Sequence, residues 1–253
     1  MRVTRRDLAP LNERFRGRAP IEILRFARKV FGERAALLCS MQRACTALCH
    51  MADRDGLPFD AIFVDTGVLH PETLATRDAL AAAHPRLHVV TLHPARTMPE
   101  QTAAEGVLYL SREGQERCCD LRKAAPLLSL RGRYDALVST LRRSEGGARA
   151  DVEPFGVDAA MGALRVHPFA DLSPGALDAY LADHPDVVVN PLHGMGFPSI
   201  GCYPCTTPVL PDEPERAGRW RHLASVWYCG INPVDRGDEG AVDLDDRYAA
   251  LFS

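Results

Sequence analysis

"AALLCSMQRACTALCHMADRDGLPFDAIFVDTG" occupies residues 35–67, and its reading decides the fold. It opens on one short apolar run, AALLCS (35–40), and closes on another, AIFVDT (61–66). Both are strand-like and both end in small or polar residues. The intervening MQRACTALCHMADRDG reads as a helix closed by Gly56. Working outward, APIEILRFARKVFG (19–32) sets Ile21, Leu24, Phe26 and Ala27 at roughly helical spacing, with Gly32 as the stop. PETLATRDALAAAH (71–84) is a helix opened by Pro71, and RLHVVTLHP (86–94) is a third strand. This alternation predicts an α/β fold with a parallel sheet and right-handed crossovers. Ligands bind such sheets at the carboxyl ends of the strands. Ser40 with the loop after it, Asp65-Thr66-Gly67 and His93-Pro94 therefore fall on one rim.

Further along, CCDLRKAAPLLSL (118–130) and YDALVSTLRR (134–143) read as helices, and SEGGARADVEP (144–154) as a loop. LRVHPFA (164–170) reads as a strand. SPGALDAYLADH (173–184) has a Ser N-cap followed by Pro at the first helical position. From about residue 210 the chain is charged, punctuated by Gly and Pro, and poor in periodicity. The expected organisation is one α/β domain over 1–209 and a mobile tail over 210–253.

The 253 residues carry a net charge of −3, with 25% charged and 46% hydrophobic residues, as in ordinary soluble globular proteins. That balance gives no electrostatic case for nucleic-acid or membrane binding. No apolar run reaches the roughly 18 residues of a membrane span, and the N-terminus lacks the apolar core of a signal peptide. The expected location is the cytoplasm.

In that reducing compartment, eight cysteines point to metal ligands or redox groups rather than disulfides. A Cys118–Cys119 bridge would be strained, because adjacent Cα atoms are only about 3.8 Å apart. Cys118, Cys119, Cys202 and Cys205 can form one four-thiolate site. C-x-x-C is a usual zinc half-site, whereas adjacent cysteines suit a larger iron–sulfur cluster; spacing alone leaves both open. Cys45 and Cys49, at i and i+4 on the expected helix, and Cys39 have no motif around them and read as core residues. Cys229 is the single cysteine of the tail, and a lone cysteine is usually a small buried hydrophobe.

Taken in order, VDTGVLHPET, CCDLRKAAPL, TLRR, NPLHGMGFPSIGCYPCTTP and ERAGRW…YCGIN resemble the adenylylsulfate (APS) and phosphoadenylylsulfate (PAPS) reductases of assimilatory sulfate reduction, over about residues 35–232. The resemblance implies a three-layer fold of the adenine nucleotide α-hydrolase (ATP-pyrophosphatase-like) type. It implies a 4Fe–4S cluster on Cys118, Cys119, Cys202 and Cys205, and Cys229 as the nucleophile that receives the sulfuryl group. It implies reduction of APS, or alternatively of PAPS or both, to sulfite for cysteine biosynthesis, with thioredoxin or glutaredoxin as reductant and a homo-oligomeric assembly. A non-catalytic iron–sulfur redox sensor, and an enzyme for a related adenylylated sulfur substrate, are the rival readings. Lys123, Arg142, Arg143, Arg216 and Arg219 match basic positions around the phosphosulfate, and guanidinium groups suit a bidentate grip on its oxygens. Asp65, Thr66 and Gly67 match a turn near the nucleotide. His193 reads as a side chain packed or hydrogen-bonded beside the cysteine loop.

Two motifs depart from the family pattern. Its S-F-G-A loop is here Ser40-Met41-Gln42-Arg43-Ala44, which keeps Ser40 as a nucleotide contact but replaces the glycine. Arg43 is expected to contact a phosphate there with its side chain, and to favour a 3′-phosphate. The family's E-C-G-L-H is here Tyr228-Cys229-Gly230-Ile231-Asn232. Asn232 can donate a hydrogen bond but carries no charge, so Cys229 is expected to be either less activated than usual or activated by the nearby arginines.

Overall fold

The computed structural model describes residues 1–223, 231–236 and 240–252. The strands are β1 (Arg2–Val3), β2 (Ala35–Cys39), β3 (Phe59–Val64), β4 (Leu87–Leu92), β5 (Ala136–Val138), β6 (Phe155–Asp158), β7 (Ala163–Val166) and β8 (Val242–Asp243). The principal helices are α1 (Ala9–Phe15), α2 (Pro20–Phe31), α3 (Arg43–Arg54), α4 (Pro71–Ala83), α5 (Met98–Glu105), α6 (Arg112–Cys119), α7 (Ala125–Leu128) and α8 (Pro174–Asp183). Six strands form one sheet in the order β4-β3-β2-β5-β7-β6. It is parallel from β4 to β7 and antiparallel only at the β6 edge.

The middle strands are apolar at consecutive positions because both faces of the sheet are covered. Along β2, Ala35, Leu37 and Cys39 face the larger core with Leu24, Ala27 and Leu48 of α2 and α3. Ala36 faces a smaller core with Ile62, Leu127, Leu137 and Ala163, and Leu38 packs against it. The strand period of two thus yields the three layers of an α/β fold. Helix starts follow the expected chemistry. The Ser173 hydroxyl accepts the Ala176 N–H at the head of α8, and Gly32 ends α2 at φ 56°.

The structure corrects the expectation of a helix over 134–143. Ala136, Leu137 and Val138 form β5, paired in parallel with both β2 and β7. Three apolar residues are too few for periodicity to separate strand from helix, and the vacant place beside β2 decides the matter. From β2 the chain builds outward through β3 and β4 on one side, and later through β5 and β7 on the other. The strand order therefore switches between β2 and β5, where a crevice opens at the carboxyl ends.

Within the segment expected as a tail, residues 240–252 contain packed elements. β8 pairs with β1, and the buried Tyr248 hydroxyl donates to Asp135 at 2.7 Å. No helix among the described residues is long and apolar enough to cross a membrane.

Beyond β7, the fully buried His167 shares a 2.9 Å hydrogen bond with Ser139. Burial, with Arg165 and Arg149 nearby, pushes its pKa down from 6.5 to about 3. The unfolded chain thus binds a proton that the folded chain refuses between those values. The resulting stability is complete above pH 6.5 and is lost as pH falls toward 3. Urea unfolding at pH 7 and pH 5 should show a loss of about 2 kcal/mol from this group, at about 1.4 kcal/mol per pH unit. His167→Asn should flatten the dependence by that amount; an unchanged slope would contradict the assignment.

Candidate active site

A cavity of ≈ 1060 Å³ opens at the switch point. Ser40 and Gln42 line it from the end of β2, Val64 and Thr66 from β3, and Ser139, Thr140 and Leu141 from β5. The loop after β2 is pinned from across the site. The Gln42 side-chain oxygen accepts the Ile200 N–H at 2.9 Å, and the fully buried Asn190 donates to the Met41 carbonyl at 3.3 Å. Lys123, Arg149, Arg216 and Arg219 give the wall its positive charge, with Glu145 among them. Such a set accepts an anion with several oxygens.

Of the expected substrate contacts, Ser40, Thr66, Lys123, Arg216 and Arg219 line this cavity, and Arg43, Asp65, Gly67, Arg142 and Arg143 do not. Arg43 is engaged by two carboxylates. As the first residue of α3 it turns its guanidinium to Asp178 at 2.9 Å and Glu215 at 3.5 Å. Its backbone N–H donates to His193 Nε2 at 3.1 Å. His193 suits that acceptor role, since burial and the neighbouring Arg43 charge push its pKa down to about 4. Asp65 accepts the Gly67 N–H at 2.8 Å and closes its own turn.

Arg142 and Arg143 part company. Arg142 lies buried against Glu145 at 3.1 Å, with Nε and Nη1 unpartnered among the described residues. Arg143 pairs instead with Glu153 and Asp171. Arg149, which sequence reasoning missed, reaches the cavity and pairs with Glu145 at 2.6 Å. It lies in SEGGARADVEP, a stretch with no period and no motif to single it out.

Cys118 and Cys119 end α6, while Cys202 and Cys205 flank a tight turn. The turn is docked by the Leu69–Cys202 bridge and by the Tyr203 N–H on the Val68 carbonyl at 2.9 Å. All four thiols line a second cavity of ≈ 350 Å³. Gln101 donates to Cys118 at 3.5 Å and Gln115 to Cys119 at 3.0 Å, while the Thr66 hydroxyl lies 3.3 Å from the Cys202 sulfur. Burial pushes Cys118 up and Cys205 up to about 11, with Lys123 opposing both shifts and Arg219 opposing that of Cys205. Sets of three or more ligand atoms all within 4.8 Å of one another occur elsewhere among the described residues, at Cys39–Cys45–Cys49 and His50–His184–Asp186. The four cysteines stand further apart than one tetrahedral ion asks, since Zn–S bonds of about 2.3 Å bring the sulfurs within about 4 Å of each other. Polar donors on the sulfurs and wider spacing fit a thiolate-bound group larger than a single ion.

The two cavities share a wall. Immediately after Cys119 the chain makes a π-helical turn, Asp120–Ala124, a feature common at functional sites. Lys123 on this turn lines both cavities. Arg122, also missed from sequence, is fully buried and holds the turn to the β3 loop. Its Nε donates to the Thr66 carbonyl at 2.6 Å, and its Nη1 to Gln101 at 3.0 Å and to the Arg96 carbonyl at 3.3 Å. Arg122→Ala leaves these acceptors unpaired in the interior, so it should cost about 3 kcal/mol or more of stability. An unfolding free energy from urea titration within about 0.5 kcal/mol of wild type would contradict that role.

Arg219 bridges the same wall. It stacks 4.4 Å over the buried Trp220 and donates to the Ile200 carbonyl at 3.3 Å. Cys229 lies outside the described residues. Ile231 and Asn232, which follow it, line the first cavity, and the buried Arg165, paired with Asp158 at 2.6 Å, donates to the Ile231 carbonyl at 2.5 Å.

Fold and site together define an α/β protein of the open, mostly parallel class, with an anion-accepting cavity at its switch point and a four-thiol chamber behind it. Comparison with known proteins narrows this. The phosphoadenosine phosphosulfate reductase domain matches residues 34–208, and the chain belongs to that family. It is 39% identical over 212 residues to the adenosine 5′-phosphosulfate reductase of Streptomyces coelicolor, covering 84% of this chain and 87% of that one. It is 43% identical over 187 residues to the reductase of the same name from Deinococcus radiodurans, covering 73% and 70%. A crystal structure of phosphoadenylyl-sulfate reductase from Candida auris superposes with a TM-score of 0.68 at 20% identity, over 81% of this chain and 98% of that one. The protein is an enzyme of this family, an oxidoreductase.

Proposed function

We propose that the protein reduces adenosine 5′-phosphosulfate to sulfite and AMP, as the names of its Streptomyces and Deinococcus relatives describe for those proteins. The observation that carries the reading is the shared wall, where Lys123 lines both the basic cavity and the four-thiol chamber. The nucleotide occupies the switch-point cavity with its phosphosulfate toward Lys123, Arg149, Arg216 and Arg219. The Cys229 thiolate attacks the sulfuryl sulfur and forms an S–S bond. The S–O bond to the phosphate breaks, and its electron pair leaves with AMP. The basic wall offsets the charge that grows on that leaving oxygen. A dithiol partner, thioredoxin or glutaredoxin, then attacks Cys229 Sγ. Sulfite departs with the S–S electron pair, and the partner's second thiol resolves the mixed disulfide, so the partner supplies both electrons.

A 4Fe–4S cluster held by Cys118, Cys119, Cys202 and Cys205 would place a fixed charge beside Lys123 and Arg219 when bound. Arg43, whose placement was the case for a 3′-phosphate, is engaged by Asp178 and Glu215, so APS is favoured over PAPS. The proposed setting is a cytoplasmic homo-oligomer in sulfate assimilation. Sulfite release should be assayed with APS and PAPS, each with and without thioredoxin. Thioredoxin-dependent release from APS alone is expected; release from neither nucleotide would refute the proposal.

A further inference from the structure

Three cysteines outside this machinery converge in the main core. Cys39 is the last residue of β2, and Cys45 and Cys49 lie one turn apart on α3. The sequence makes them ordinary core residues, and they are buried at 6%, 1% and 0% exposure. Core packing alone does not require their sulfurs to meet. Yet all three lie within 4.8 Å of one another, with Cys39 and Cys49 Sγ 3.4 Å apart. The strand presents one sulfur and successive helical turns present the other two, across the loop that joins them.

That loop contributes as well. Met41 is fully buried and left-handed at φ 55°, one of two described non-glycine residues with positive φ. A left-handed residue in a turn is the geometry in which successive amides converge on one anion.

The donor set specifies its occupant. Three thiols without a carboxylate or imidazole among them reject hard cations such as Mg²⁺ and Ca²⁺. Structural zinc takes four ligands, and the set offers three. Soft thiolate donors select Cu(I), and the spacing suits one small ion. Cys39 also lines the nucleotide cavity, which gives a way in. We propose that Cys39, Cys45 and Cys49 form a three-thiolate site for a soft monovalent cation, Cu(I), on the floor of the nucleotide cavity. Binding is redox-neutral: the ion enters as Cu(I), and the thiol protons leave to solvent.

The test is an anaerobic Cu(I) titration of the protein as purified, with its own metal complement, against a chromogenic Cu(I) chelator, with iron and zinc measured throughout. Wild type and Cys229→Ser should each retain one equivalent of copper. Cys45→Ser and Cys49→Ala should each weaken retention at least about a hundredfold, with iron and zinc unchanged. X-ray absorption of the wild-type copper complex should show three sulfur neighbours and no nitrogen or oxygen. Wild-type affinity in either triad variant, no copper retained in wild type, or copper taken up only as iron or zinc is displaced would each overturn the proposal. If a variant fails to fold, the wild-type spectrum decides: nitrogen, oxygen or a fourth sulfur at the copper would exclude the site.

Discussion

Lys123→Ala should lower kcat/KM for APS by about 10²–10³-fold, the usual cost of removing one group that stabilises developing transition-state charge. The argument rests on position. Lys123 is 7% exposed, sits on the π-turn that follows the vicinal cysteines, and lines both cavities. Its ammonium can therefore meet the phosphosulfate on one side and the thiolate-bound group on the other. Charge on the leaving phosphate grows as the S–O bond breaks, so the loss should fall mainly on kcat. Lys123→Arg should restore part of the rate, because a cation returns in a different shape. Iron content should remain at the wild-type level, since the four cysteines proposed as ligands are untouched. A variant with normal kcat, or one that merely loses its metal, would show that Lys123 serves the chamber and not the reaction.

Cys229→Ser should abolish sulfite formation, with a fall of about 10⁴-fold or more, as when a nucleophile acting within a catalytic unit is removed. A serine hydroxyl is a far weaker nucleophile at neutral pH than a thiolate, and no thiosulfonate can form on oxygen. Single-turnover AMP release without thioredoxin separates the two halves of the reaction. Wild type should release AMP in one burst, while the variant should release none and still bind AMP. The supporting geometry is the anchoring of the neighbouring residues. Ile231 and Asn232 line the cavity, and the buried Arg165–Asp158 pair holds the Ile231 carbonyl. A Cys229→Ser enzyme that retained its burst would shift the nucleophile to another group.

Long-range sequence patterns exposed the frame of this site, and local ambiguity concealed its details. The apolar runs ending at Ser40 and Thr66 sufficed to place the rim, because parallel strands covered on both faces leave a plain trace. Two cysteine pairs far apart in the chain do line one chamber. The resemblance of TLRR grouped Arg142 and Arg143 among the basic positions, and the expected helix gave no hint of where either side chain goes. Arg142 is instead extended, at φ −130° and ψ 144°, while Arg143 opens a tight 3-10 turn, so the two side chains diverge. One goes to Glu145 and the other to Glu153 and Asp171. The partners of Arg43 were hidden for a different reason: Asp178 and Glu215, which engage it, are remote in sequence. The Cys39–Cys45–Cys49 convergence left only the i, i+4 pair as a trace, because the third sulfur arrives from the strand.

The most direct measurement is intact-peptide mass spectrometry after mixing the iron-loaded wild-type enzyme with APS in the absence of any reducing thiol. The account predicts one sulfonate adduct per chain on the peptide carrying Cys229, formed in step with AMP and discharged as sulfite by reduced thioredoxin. AMP release with that peptide unmodified would contradict it.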